Sequence, residues 1–172
     1  LYLSGSVRGT GTWRYNTPVT YSRVTFKTAG IDSFSSGPAS LYDVAVNKPA
    51  GGLGLLSDAA VEHTLRAAAG VLVVGKSALT LGTATASGAV TVEAGAGFAA
   101  IGIGDTIATV SAADSLWPYS FTVQPGAGVG AGRAEFRWMD TLGINVAPGA
   151  LVDTLYNFSD CSFEHAGIAG LP

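Results

Sequence analysis

Four acidic residues in the last third of the chain are the first candidates for catalysis: Asp140, Asp153, Asp160 and Glu164. Glycoside hydrolysis requires two carboxyl groups held at a defined separation. Lysis of uronate polymers requires an acidic cluster for calcium together with a basic residue. No pair among the four has a spacing that demands a shared site, and we therefore predict no catalytic residue.

Two arginines, Arg133 and Arg137, are candidates for the base of a lyase. They alternate with Glu135, and successive residues of a strand point to opposite faces. The alternation therefore predicts a charged outer face rather than an active site.

The histidines and the cysteine do not suggest a metal site. His63 and His165 lie far apart in the sequence and lack partners at metal-ligand spacing. Cys161 is the only cysteine, which excludes an intrachain disulfide, and free cysteines are usually buried. A catalytic thiol would need a base, for which His165, four residues on, is the only neighbour. We predict no metal and no cofactor.

The best binding candidate is an aromatic segment, Trp117-Pro118-Tyr119, which we predict to lie in a loop. Exposed aromatic rings can stack on sugar rings, so Trp117 and Tyr119 are candidate carbohydrate-binding residues. The alternative is that the two rings cover the core beneath the loop.

Composition limits the classes of partner. The 172 residues include 24 glycines, 48% are hydrophobic, only 12% are charged, and the net charge is -3. This length fits a single domain over residues 1–172. The sequence has no cluster of basic residues of the kind that binds nucleic acid, and it has no uninterrupted apolar stretch long enough to predict a membrane span. Because the chain begins at Leu1, we expect it to be processed or part of a longer chain.

A repeated unit organises the chain. Val92 enters a turn at Gly95, Val123 one at Gly126, and Val146 one at Gly149. A β-branched residue followed by a glycine turn predicts a strand and a corner. The valines are spaced by 31 and then 23 residues, which predicts a repeat architecture with turns of varying length.

Two stretches resemble the right-handed parallel β-helix segments of large bacterial surface proteins. One is Leu41-Tyr42-Asp43-Val44-Ala45-Val46-Asn47-Lys48 followed by Gly51-Gly52-Leu53, within residues 41–97. The other is Leu155-Tyr156-Asn157-Phe158, followed by Cys161-Ser162-Phe163 and Gly167. The resemblance implies an all-β, right-handed parallel β-solenoid with Gly/Pro corners. At roughly 25 residues per rung it has about seven rungs. The alternative is a β-sandwich of the jelly-roll type.

Residues 57–70 fit two structures. Ser57 or Asp58 could cap a helix of alanines that ends at Gly70. Val61, His63 and Leu65 alternate with their neighbours, however, as they would in a strand. We favour the strand.

The functional expectation follows from the predicted fold. Solenoid ends without a cap are open edges that invite another chain. We expect an extracellular or cell-surface structural or adhesive protein, a fibre subunit or segment, that associates with itself or neighbouring domains through these ends. The alternative is a β-helix protein that binds or cleaves a polysaccharide.

Overall fold

The computed structural model describes residues 2–3, 23–35 and 40–165, and these residues contain strands and turns but no helix. The strands are β1 (Tyr2–Leu3), β2 (Arg23–Phe26), β3 (Gly30–Phe34), β4 (Ser40–Leu55), β5 (Ala59–Val74), β6 (Ala78–Leu81), β7 (Ala89–Val92), β8 (Ala96–Ile101), β9 (Ala108–Ala112), β10 (Tyr119–Val123), β11 (Gly128–Gly132), β12 (Ala134–Arg137), β13 (Met139–Val146), β14 (Leu151–Ser159) and β15 (Ser162–Glu164). They form one sheet, which is strongly curled.

Every pairing between these strands is parallel. The antiparallel contacts among the described residues are two isolated bridges, Thr83 with Ala86 and Ile103 with Thr106. A jelly roll is built from antiparallel strands. The prediction of an all-β parallel sheet is therefore confirmed, and the sandwich alternative is wrong for the described residues.

The pairings fall into three rows. The first row contains residues 40–41 of β4, residues 59–61 of β5, and then β6, β9, β12 and β15. The second row contains β1, β2, residues 43–46 of β4, residues 64–67 of β5, and then β7, β10 and β13. The third row contains β3, residues 51–55 of β4, residues 70–74 of β5, and then β8, β11 and β14. In each row the order of the strands follows the order of the chain.

The repeated valines are stacked on one another. Val92 pairs with Val123, and Val123 pairs with Val146, so the predicted spacings of 31 and 23 residues are real registers. The corners that follow also stack, because the amide of Gly95 donates to the carbonyl of Gly126 and that of Gly126 to the carbonyl of Gly149. All three glycines have φ between 75° and 85°. Residues other than glycine rarely adopt a φ in this range, so the corner depends on glycine.

Residues 59–70 of the contested stretch 57–70 lie in β5, which confirms the strand. Its inward residues Val61, Leu65 and Ala67 are buried between β4 on one side and β6 or β7 on the other. The helix preference of alanine is worth less than about 1 kcal/mol per residue. Burial against two neighbouring strands overrides it.

Two other segments have a clear pattern in the sequence. Lys48-Pro49-Ala50-Gly51-Gly52 is typical of a corner, but these residues lie within β4, where the chain bends at Gly51 (φ 90°) without leaving the sheet. Residues 19–27 alternate as they would in a strand, and the structure describes β2 among them, whose Val24 and Phe26 point inward and are buried. Residues 19–22 lie outside the described residues.

The core is a set of apolar columns that run from strand to strand. One column, taken along the third row, contains Leu53, Leu72, Phe98, Val129 and Val152. The columns also touch one another, since the rings of Phe98 and Phe121 meet edge to face at 4.9 Å. The apolar side chains of each strand are therefore buried largely by those of the two neighbouring strands in its row.

The apolar columns end at the last strands of the three rows, where their side chains are partly exposed. Val146, Val152 and Phe163 continue buried columns, yet they are 38, 45 and 48% exposed. Among the described strands, β13, β14 and β15 each pair along one edge only.

No helix long and apolar enough to cross a membrane occurs among the residues described above.

Candidate functional site

The structure separates the two aromatic residues predicted to bind carbohydrate. Trp117 lies in the loop before β10 and is 41% exposed. Tyr119 begins β10 and is fully buried, with its hydroxyl donating to the carbonyl of Val110 at 3.4 Å. Burial also raises the pKa of Tyr119 far above its ordinary value. Carbohydrate binding stays a prediction, but only Trp117 lies where a ligand could stack on it.

The four candidate acids lie in different elements: Asp140 is in β13, Asp153 is in β14, Asp160 directly follows β14, and Glu164 is in β15. Asp140 and Asp153 each accept a backbone N–H two residues on, from Leu142 at 3.0 Å and from Leu155 at 2.7 Å. Glu164 pairs with Arg137 at 3.2 Å. Within the described ranges, no three His, Cys, Asp or Glu side chains are grouped so that they could hold a metal ion.

The charged face predicted around β12 is present. Arg137 contacts Glu135 at 2.7 Å on the same strand and reaches Glu164 on β15, so it ties two strands together. Ala134 and Phe136 point inward and are buried. Arg133, just before the strand, has a φ of 51° and marks the corner.

Neither Cys161 nor His165 shows the geometry of a catalytic pair. Cys161 is half-buried and lies 3.5 Å from the carbonyl oxygen of Ser159, and burial raises the pKa of its thiol. A raised pKa disfavours the reactive thiolate. The ring of His165 stacks instead on Trp138, with centroids 3.9 Å apart.

His63 belongs to a polar cluster that the sequence did not indicate. Its Nδ1 lies 2.9 Å from a carboxylate oxygen of Asp43, and its ring stacks on Tyr42 at 4.9 Å. Arg23 reaches the other oxygen of Asp43 at 3.5 Å. Arg23, Asp43 and His63 lie on the consecutive strands β2, β4 and β5, and their contacts reinforce the stacking there.

A fully buried lysine is a second feature that the sequence did not reveal. Lys48 has no exposed surface, and its Nζ donates to the carboxylate of Asp32 and to the carbonyl of Thr28, each at 2.5 Å. The hydrogen bond from Lys48 holds the pKa of Asp32 below its ordinary value. A buried charge is tolerated only when it is paired in this way. Neither the glycine-rich sequence around Lys48 nor its spacing from Asp32 indicates this ion pair.

A bidentate pair connects β5 to the corner after β7. Arg66 donates through Nε and Nη2 to the two carboxylate oxygens of Glu93, at 2.5 and 2.7 Å. These hydrogen bonds lower the pKa of Glu93 from its ordinary value. The pair again joins neighbouring turns of the chain.

A groove of about 320 Å³ lies on the outer face of the third row. Its floor consists of small outward positions, Gly97, Ala99, Gly128 and Gly130. Val71 lies at one end, and Leu151 with Tyr156 lies at the other. The lining is mainly apolar, and the single charged residue in it is Asp153.

One wall of the groove is an insertion in β14. Val129 pairs with Val152 and Ala131 with Asn157, so β14 has three residues more than β11 between those pairs. The extra residues form a turn in which Asp153 Oδ1 accepts the amides of Leu155 and Tyr156. The same insertion of three residues occurs in β13, at Asp140-Thr141-Leu142. The tripeptide Asp-Thr-Leu occurs in both turns, and this repeat is the signal in the sequence that could have predicted them.

The inserted turn explains two of the glycines. A Cβ at Gly130 would lie 2.9 Å from Cβ of Asp153, and one at Gly132 would lie 3.1 Å from the Tyr156 ring. The turn can therefore lie flat on the sheet only because Gly130 and Gly132 of β11 have no side chains on this face. The resulting groove could hold an apolar surface, but it offers no pair of groups for acid–base chemistry.

Comparison with protein-family models, curated proteins and solved structures found no match to this chain.

We predict that Gly130→Ala destabilises the protein by about 1–3 kcal/mol, because the added methyl group must displace the Asp153 turn. Gly128→Ala is the matched control on the same strand and face, since its Cβ would meet its nearest neighbour at 3.8 Å. That control should change the free energy of unfolding by less than about 0.5 kcal/mol. Urea denaturation measures both variants. Equal losses in the two variants would show that the turn does not pack on Gly130.

Proposed function

We propose that this chain is a right-handed parallel β-solenoid with a structural or adhesive role. It would act as a fibre subunit or as a segment of an extracellular or cell-surface protein. The observation that supports this most is the set of three parallel rows with apolar columns running through them. A body in which every strand is stabilised by its neighbours resists extension along its length, because rungs must separate one after another.

The number of strand positions is consistent with the solenoid. The second row contains seven successive positions, from β1 to β13. At about 4.8 Å between neighbouring strands, such a stack is on the order of 30 Å tall. The polar pairs Arg66–Glu93 and Arg137–Glu164 join neighbouring rungs and support the same role.

Single-molecule stretching tests the structural role. Paired residues in neighbouring rungs are separated by 19 positions (Gly52 to Val71) to 31 positions (Ala78 to Thr109). If rungs detach one by one, each step should lengthen the chain by roughly 60–110 Å, because an extended residue spans about 3.3–3.6 Å. Several steps in this range are expected when the chain is pulled from its two ends. Release of the whole length in one event at low force would contradict a mechanical role.

A second candidate function is carbohydrate binding, which the exposed Trp117 favours. Sugar rings bind exposed aromatic faces, and this indole lies on a loop beside exposed Leu116. The groove beside Tyr156 is a further apolar surface on a different row.

Binding to a panel of polysaccharides, with and without calcium, tests this alternative. If Trp117 binds sugar, Trp117→Ala should abolish binding, whereas Leu116→Ala, its exposed neighbour, should retain it. Equal binding by both variants would exclude Trp117 as the contact. Release of unsaturated or reducing ends would contradict a purely structural role.

A further inference from the structure

The buried lysine lies close enough to a carboxyl group to react with it. Lys48 has no exposed surface, and its Nζ is 2.5 Å from Oδ2 of Asp32. Hydrogen bonds between charged nitrogen and oxygen groups are usually about 2.7–2.9 Å long, so this contact is unusually short. The chain has two other lysines, Lys27 and Lys76, and both are exposed. Of the three, only Lys48 has an amine that is shielded from solvent.

The surroundings hold both side chains in place. Thr28, in the corner between β2 and β3, accepts a hydrogen bond from Nζ of Lys48 through its carbonyl oxygen at 2.5 Å. Its hydroxyl group donates to Oδ2 of Asp32 at 3.1 Å. On the other side, a Cβ at Gly70 would lie 3.0 Å from Cβ of Lys48, so β5 packs closely against the lysine stem. The fold therefore keeps the amine and the carboxyl group in contact.

We propose that Lys48 and Asp32 join covalently through an isopeptide bond, which makes this pair a site of self-modification. The ion pair is the starting state. One proton passes from Nζ to Oδ2 along their contact, which leaves a neutral amine beside a neutral carboxylic acid. Nζ then attacks Cγ of Asp32, the bond from Cγ to Oδ2 breaks, and Oδ2 leaves as water with two protons that both came from Nζ. The two charges cancel, one N–H stays on the new amide, and no co-reactant is consumed.

Burial favours this reaction. An environment of low dielectric constant disfavours the charged forms of both groups, and so it favours the neutral amine and acid that react. Groups held in contact can react as if their concentration were about 10⁵ M or more. The product replaces two buried charges with one neutral amide, which costs less to bury. The Asp32 side chain is not fully buried, so the released water can reach solvent.

The bond closes a covalent loop around residues 33–47, which include the end of β3 and the first part of β4. These residues could not extend when the chain is pulled, so its total extension should be shorter than that of a chain without the bond. The inference does not rest on the structural role proposed above, because the bond forms whether or not the chain bears load.

Mass spectrometry of the intact, purified chain tests the inference. The wild-type chain should be lighter than its sequence by the mass of one water molecule. Lys48→Met and Asp32→Ala should each have the full mass of their sequences, because each lacks one reacting group. Lys76→Met, at an exposed lysine, is the matched control and should keep the deficit. A wild-type chain of full mass would overturn the inference without any variant having to fold. A deficit that persists in Lys48→Met would overturn it too.

Digestion of the denatured chain locates the bond. Chymotrypsin cuts after aromatic residues, and Phe34 and Tyr42 lie between the two positions. The peptides that contain Asp32 and Lys48 should nevertheless stay joined, and Lys48 should resist an acetylating reagent that labels the other lysines. A succinimide formed by an aspartate with its own backbone has the same mass deficit but joins no peptides. Separate peptides with an acetylated Lys48 would overturn the inference. The stretching experiment still decides the structural role in that case.

Discussion

The structure depends on the stacking of apolar side chains between successive strands in register. Val92, Val123 and Val146 illustrate the constraint, because each is directly paired with the next. A slip of one residue in any strand would turn its apolar side chains outward. A strand inside a row is paired with the strand before it and the strand after it in that row, whereas the described strand at either end of a row is paired with one described strand of that row only.

The corners and polar pairs serve the same stacking. Gly95, Gly126 and Gly149 repeat one left-handed bend, so the chain leaves each strand of the second row at the same place. The ion pairs of Lys48, Arg66 and Arg137 each connect different turns of the chain rather than lining a common site. These ion pairs therefore hold neighbouring turns of the chain together.

Much of the fold could be predicted, because its signals are local and repeated. The valine-to-glycine units gave the correct strand registers, and the alternation at Val61 and Leu65 outweighed the helix preference of the alanines. Features that depend on a neighbouring strand were not predictable. Tyr119 looked like a loop aromatic, yet the pairing of β10 turns its ring into the core. Lys48 showed no local sign of its partner Asp32, and the groove exists only because an insertion in β14 folds over Gly130.

Thiol cross-linking of neighbouring rungs tests the in-register stacking most directly. Thr91 and Thr122 are paired on outward positions of β7 and β10, so their Cα atoms should lie about 4.8 Å apart. In a Cys161→Ser background, Thr91→Cys with Thr122→Cys should join rapidly through a disulfide or a very short cross-linker. Thr91→Cys with Ser120→Cys, offset by two residues on the same face, should not, because that separation is about 8 Å. Equal reaction of both pairs, or faster reaction of the offset pair, would contradict the stacked register on which this account depends.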